Sequence, residues 1–203
     1  MNDFPDFFAR TPAIAVRDPL ADFLGAARGG SIEYRYADAV RLAGHSCPTV
    51  ASAYLMARAA LRRLYGESLP CRGEIAVACR GNRDEGVTGV MAAVFTLLTG
   101  AGDEGGFRGL AGRYSRRQLL SFGAGIGGEF RLTRTDTQAA VEVAAHPERV
   151  PGDPRLRELM PLCLAGGADA AQRESFGLLW QQRVAQIFER AENDPALIVV
   201  TAV

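Results

Sequence analysis

Lysine is absent from this chain: all 23 basic residues are arginine, and 23 acidic residues balance them to zero formal net charge. The missing lysine follows coding composition and carries no mechanism. Zero net charge argues against a nucleic-acid partner, which needs a basic face, although Arg113, Arg116 and Arg117 form a local cationic cluster suited to a small anion. Apolar runs of about 18 residues are also missing, which excludes a membrane-spanning helix. The opening MNDFPDFF carries acids where a signal peptide has a basic stretch followed by an apolar one. A soluble, cytoplasmic protein with no membrane partner is therefore expected. Cys47, Cys71, Cys79 and Cys163 form no CxxC pair, and in a reducing compartment they make no disulfide framework. Internal repeats and low-complexity segments are lacking as well.

What is present is enough for a proper core. With 203 residues and 48% hydrophobic content, the chain suits one large domain or a core domain with a helical appendage. Residues 1–31 read as an N-terminal arm with one short helix around Asp18 to Gly25, ended by Gly29-Gly30. A second short helix is expected from Tyr36 to Leu42. Val50, Tyr54, Ala57, Leu61 and Leu64 recur at three- and four-residue spacing and predict an amphipathic helix over 48–65, with Pro48 in its first turn and Gly66 past its end. A buried strand follows over 73–79, and then a helix whose start is marked by Asn82, Arg83, Asp84 and Glu85 and whose stripe is Val87, Val90, Met91, Val94 and Leu98.

Gly100 to Gly112 contains six glycines and reads as a loop. Segments 118–122, 129–135 and 138–144 have strand patterns and are expected to form an antiparallel meander. After a proline-rich connection, Leu156 to Phe188 is helical again, and Ala196 to Val200 has the composition of a final strand. The whole is an α+β fold, with helices packed on a mixed sheet and a C-terminal helical extension over 151–203.

Gly44-His45-Ser46-Cys47-Pro48 is the segment richest in chemistry. Cys47 falls at the N-cap of the long helix, where unpaired N–H groups and the helix dipole favour thiolate over thiol. His45 supplies either a neutral nitrogen for a metal or a base for the thiol. Both chemistries are open on these residues. Gly123, Gly125 and Gly128 match the dinucleotide spacing but precede a strand pattern, so they read as a hairpin or bulge. Glu85 is an oxygen ligand, a base or an ordinary first-turn acid. Asn82 lies in the same strand-to-helix loop. His146 reads as a surface residue, and Cys71, Cys79 and Cys163 as structural ones.

Tyr36-Ala37-Asp38-Ala39-Val40 followed by Gly44-His45-Ser46-Cys47-Pro48, a long alanine-rich helix and a strand resembles the FmdE-like family, related to the E-type component of formylmethanofuran dehydrogenase, whose members show Gly-His-x-Cys-Pro-Gly at a helix start. Asn82, Gly86 and Val87 resemble that family's second motif, and the likeness spans roughly residues 32–145 within a core taken as 32–150. The chain departs from the pattern at Thr49 in place of glycine, Glu85 in place of cysteine and Thr88 in place of aspartate, and it has no four-cysteine ribbon.

The resemblance implies an α+β fold with a mixed sheet, a bound Zn2+ or other divalent transition metal, and a homodimer. Carried over, His45 and Cys47 are ligands and Glu85 stands at a third ligand position, with a fourth open to water or a small molecule. An accessory or small-ligand role follows, with no reaction assigned. Asn82, Arg113 and Arg116 are the candidate contacts to an anion or small ligand. The alternatives are a metal-free enzyme using Cys47 as nucleophile with His45 as base, and an interaction module built on an exposed stripe around Trp180.

Overall fold

The computed structural model describes residues 4–203, so the first three residues of the MNDFPDFF opening lie outside the described residues. Strands β1 (Ile14–Arg17) and β2 (Ser31–Tyr34) form a separate antiparallel pair. The remaining strands are β3 (Ile75–Cys79), β4 (Leu120–Ser121), β5 (Phe130–Arg134), β6 (Ala140–Ala145) and β7 (Ile198–Ala202). They make a mixed five-stranded sheet at the centre, in the order β4-β3-β5-β6-β7. The helices are α1 (Pro19–Phe23), α2 (Tyr36–Ala43), α3 (Pro48–Tyr65), α4 (Thr88–Thr99), α5 (Leu156–Leu164) and α6 (Ala170–Ala191). Among the described residues, no helix is long and apolar enough to cross a membrane. The expected α+β class, with helices on a mixed sheet, is the observed one.

Helix α3 is the central element, packed against α2, α4, α6, β6 and β7. The spacing of its apolar residues predicts one buried stripe, yet Val50 through Ala57 is buried without interruption. Small side chains explain this, because Ala51, Ser52, Ala53 and Ala57 let neighbours approach on every side, as in a helix enclosed by a core. Its length agrees with expectation, from Pro48 in the first turn to Gly66 in the left-handed region at φ 56.

Three local expectations need correction. Helix α4 begins at Thr88, several residues after the predicted start at Asn82. The Glu85 carboxylate accepts the Asn82 N–H at 2.9 Å and closes a turn, and Gly86 at φ 53 leaves the helical path. The predicted meander is also rearranged: β4 pairs with β3 in parallel, and β3 lies between β4 and β5. The glycines at 123, 125 and 128 consequently carry the chain across the end of β3, where Gly123 N–H bonds the Gly81 carbonyl at 3.0 Å and Ala124 N–H that of Cys79 at 2.9 Å. No hairpin joins β4 to β5. The β1–β2 pair was not anticipated, because two strands of four residues each leave too short an alternation to recognise.

One apolar cluster draws on every part of the chain. Phe7 and Phe8 from the arm pack with Tyr36, and Phe188 of α6 stacks edge-on to Tyr36 at 4.7 Å between ring centres. The boundaries near residues 31 and 150 divide stretches of sequence, while the buried side chains of the arm, core and extension pack together. The predicted final strand is present as β7, antiparallel to β6.

Candidate functional site at the α3 N-terminus

The turn between α2 and α3 carries the histidine and the thiol. Gly44 ends α2 in the left-handed region at φ 75, a conformation that needs no Cβ. Cys47 then takes extended backbone angles as the N-cap of α3, and its Sγ accepts the Val50 N–H at 3.5 Å. Sulfur thus occupies the place of a capping oxygen. The Cys47 side chain is buried, at 8% exposure, whereas His45 is exposed. His45 Nδ1 lies 3.0 Å from the Ala43 carbonyl. A carbonyl accepts only from N–H, so the neutral ring carries its proton on Nδ1 and leaves the Nε2 lone pair free.

Ser46, between them, is held from three directions. Its Oγ hydrogen-bonds the Tyr36 hydroxyl at 2.9 Å, and its carbonyl accepts from Trp180 Nε1 at 3.0 Å and Gln181 Nε2 at 3.2 Å. Burial pushes the Tyr36 hydroxyl well above the usual phenol range, so it stays protonated. Helix α6 therefore fixes the backbone of the motif 134 residues away in sequence. The interaction-module alternative needs an exposed stripe around Trp180; the structure turns its indole N–H inward and buries Leu179, Val184, Ile187 and Phe188 beside it. Tyr36, Trp180 and Gln181 were missed as supports of the motif, and only the polar ends on otherwise apolar side chains of the first two hinted at it.

The remaining candidate residues go elsewhere. Glu85 is exposed, its carboxylate engaged with the Asn82 N–H. Zinc takes three or four donors. Among the described residues, no group of three or more His, Cys, Asp and Glu side chains is placed to hold a metal ion. The three-ligand centre implied by the resemblance is not assembled, since the turn around Asn82 keeps Glu85 for the backbone. No hydrogen bond joins His45 to Cys47 either: the ring turns to Ala43 and the thiol to Val50. The metal-free nucleophile and base are thus not paired.

Arg116 is turned inward onto a carboxylate of the chain itself. It is 9% exposed at its side chain and donates from Nη2 to Asp18 Oδ1 at 2.7 Å, while Arg72 Nη1 donates to Asp18 Oδ2 at 2.8 Å. Burial works to raise the Asp18 carboxyl, but the Arg72 hydrogen bond and the Arg116 charge outweigh it and hold the group below its ordinary value. Gly73 and Gly100 make room for Arg116: a Cβ on either would fall 1.9 Å and 2.5 Å from its Nη1. Arg113 is exposed over the ring of Tyr114, and Arg117 Nε donates to the Glu104 carbonyl. Burial pushes the thiols of Cys71 and Cys79 up to about 12 and about 11, which keeps both protonated and inert near neutrality. His146 pairs with Glu148 at 3.0 Å. No protein-family model matches this chain, and the search of curated proteins gives no match.

Proposed function

We propose that the chain binds a divalent transition metal, with Zn2+ the first candidate, through two donors only: His45 Nε2 and Cys47 Sγ. The supporting observation is the His45 Nδ1 contact to the Ala43 carbonyl, which is how a ligating imidazole is usually oriented by its surroundings. The further coordination positions come from outside the chain, either from a second copy or from a small ligand. Leu42 and Val87, each 49% exposed on or beside packed helices α2 and α4, offer apolar surface to a second copy. Glu85 takes no part in this reading.

Cobalt titration of purified, untagged protein tests it, because a thiolate ligand gives Co2+ a charge-transfer band that a site without sulfur lacks. The band is expected in the natural protein, lost in Cys47→Ala, lost or strongly weakened in His45→Ala, and retained in Glu85→Ala. Sedimentation with and without metal then separates the two sources of the remaining ligands. Natural protein that shows no thiolate band, or Cys47→Ala protein that keeps full affinity, would overturn the proposal.

A further inference from the structure

We propose that the cleft between α4 and the glycine loop 100–112 binds a small apolar monocarboxylate, gripped by Arg83. The cleft encloses ≈ 480 Å³, within the roughly 300–1,000 Å³ typical of small-molecule sites. Its walls are apolar where α4 contributes Ala92, Ala93 and Leu97 and where Leu120 and Phe122 face them. Arg72, Arg83 and Asp103 are its charged residues, Arg72 paired with Asp18 and Arg83 with Asp103. A single guanidinium with spare donors matches one carboxylate, and it would repel a cation.

Of the two arginines, Arg83 keeps more free donors. Arg72 spends its guanidinium on Asp18 and on the Leu97 carbonyl at 3.1 and 3.0 Å. Arg83 donates from Nη2 to Asp103 and lies over the Phe122 ring, 4.7 Å from its centre, and it makes no other hydrogen bond among the described residues. Its Nε and Nη1 therefore remain as donors to an anion, and a carboxylate that takes the planar fork does so by sharing Nη2 with Asp103 or displacing it. Gly89 positions this loop, since a Cβ there would stand 3.0 Å from the Arg83 carbonyl.

Asp103 is the internal stand-in for the ligand. Its carboxylate lies in the cleft, accepts the Gly105 N–H at 2.9 Å, and is held below its ordinary value by the Arg83 hydrogen bond. The Arg83 side chain is 64% exposed, so the pair is a surface ion pair of small strength. An incoming carboxylate can share or take over the guanidinium while its apolar body covers Leu97 and Leu120. The site uses neither His45 nor Cys47, so Cys47→Ala distinguishes its failure from that of metal binding.

Phenylacetate and its neutral analogue phenylacetamide, titrated calorimetrically into the full chain, provide the test. Phenylacetate is expected to saturate the protein, with phenylacetamide at least about tenfold weaker. Arg83→Gln should weaken phenylacetate about tenfold or more, whereas Cys47→Ala should leave it unchanged. Ala93→Trp, which fills the cleft from an exposed helix position, should abolish binding, with circular dichroism confirming that each variant is folded. Asp103→Asn should bind phenylacetate as tightly as the natural protein or more so, because the competitor is gone. Failure of phenylacetate to saturate, equal binding of acid and amide, or unchanged affinity in folded Arg83→Gln protein overturns the proposal.

Discussion

The α2–α3 turn and the β3–α4 loop both precede a helix, and they are built in opposite ways. At the first, Tyr36, Trp180 and Gln181 converge on Ser46, so elements distant in sequence determine where His45 and Cys47 stand. At the second, the Asn82–Glu85 turn satisfies itself, and an exposed Arg83 reaches out to Asp103 on the glycine loop and lies over the Phe122 ring. A pinned backbone suits a metal ligand, whose donors must be held in place. A self-contained turn with a loosely paired arginine suits a group that changes partners when a ligand arrives.

The contrast can be broken by substitution, and the largest effect is expected beneath the glycine loop. Asp18→Ala leaves Arg72 and Arg116 without their shared carboxylate and should cost about 3–5 kcal/mol in urea unfolding. A cost near zero would show that water serves these guanidiniums equally well. The same carboxylate predicts acid lability. Its folded value lies below 3.8, so the unfolded chain takes up the proton first, and stability is present above that value and lost as pH falls through the folded one. The Asp18→Asn protein should lose this acid-range slope while keeping any contributed by other carboxylates.

Next in size is Trp180→Ala, expected to cost about 3 kcal/mol through lost packing and the lost bond to Ser46. Cobalt affinity should fall with it, since the motif's backbone is released; unchanged affinity would mean that the α3 N-terminus holds its shape unaided. Tyr36→Phe removes only the hydroxyl bond to Ser46 and should cost about 1 kcal/mol. Glu85→Ala should change stability by no more than about 0.5 kcal/mol, as an exposed turn residue. A larger loss would show that this turn orders the loop that carries Arg83. Thiol labelling sharpens the picture further: near pH 8, Cys71 and Cys79 should resist alkylation until the protein unfolds, because burial keeps their sulfur protonated.

Much of the local structure was legible in the residues themselves. Helix α3 spans the residues that its apolar spacing and end signals mark, and β3, β5, β6 and β7 coincide closely with their apolar runs. Hydrophobic period and end-capping chemistry act within a few residues, which is why they can be read along the chain. The start of α4 was misplaced because a turn closed by Glu85 and a helix capped there carry the same residue types. Strand β4 was found but given the wrong neighbour, since two residues of ladder carry no record of their partner.

The candidate site divides along the same line. Sequence alone determined that Cys47 caps a helix, that His45 precedes it by two residues, and that Glu85 lies in a strand-to-helix loop. Only the tertiary structure decided that Ser46 is held by α6, that Glu85 serves its own turn, and that Arg116 is buried against a carboxylate 98 residues earlier. Each of these is a pairing between groups distant along the chain or a choice between equally polar partners. Such pairings depend on which surfaces the core brings together, and only packing settles that.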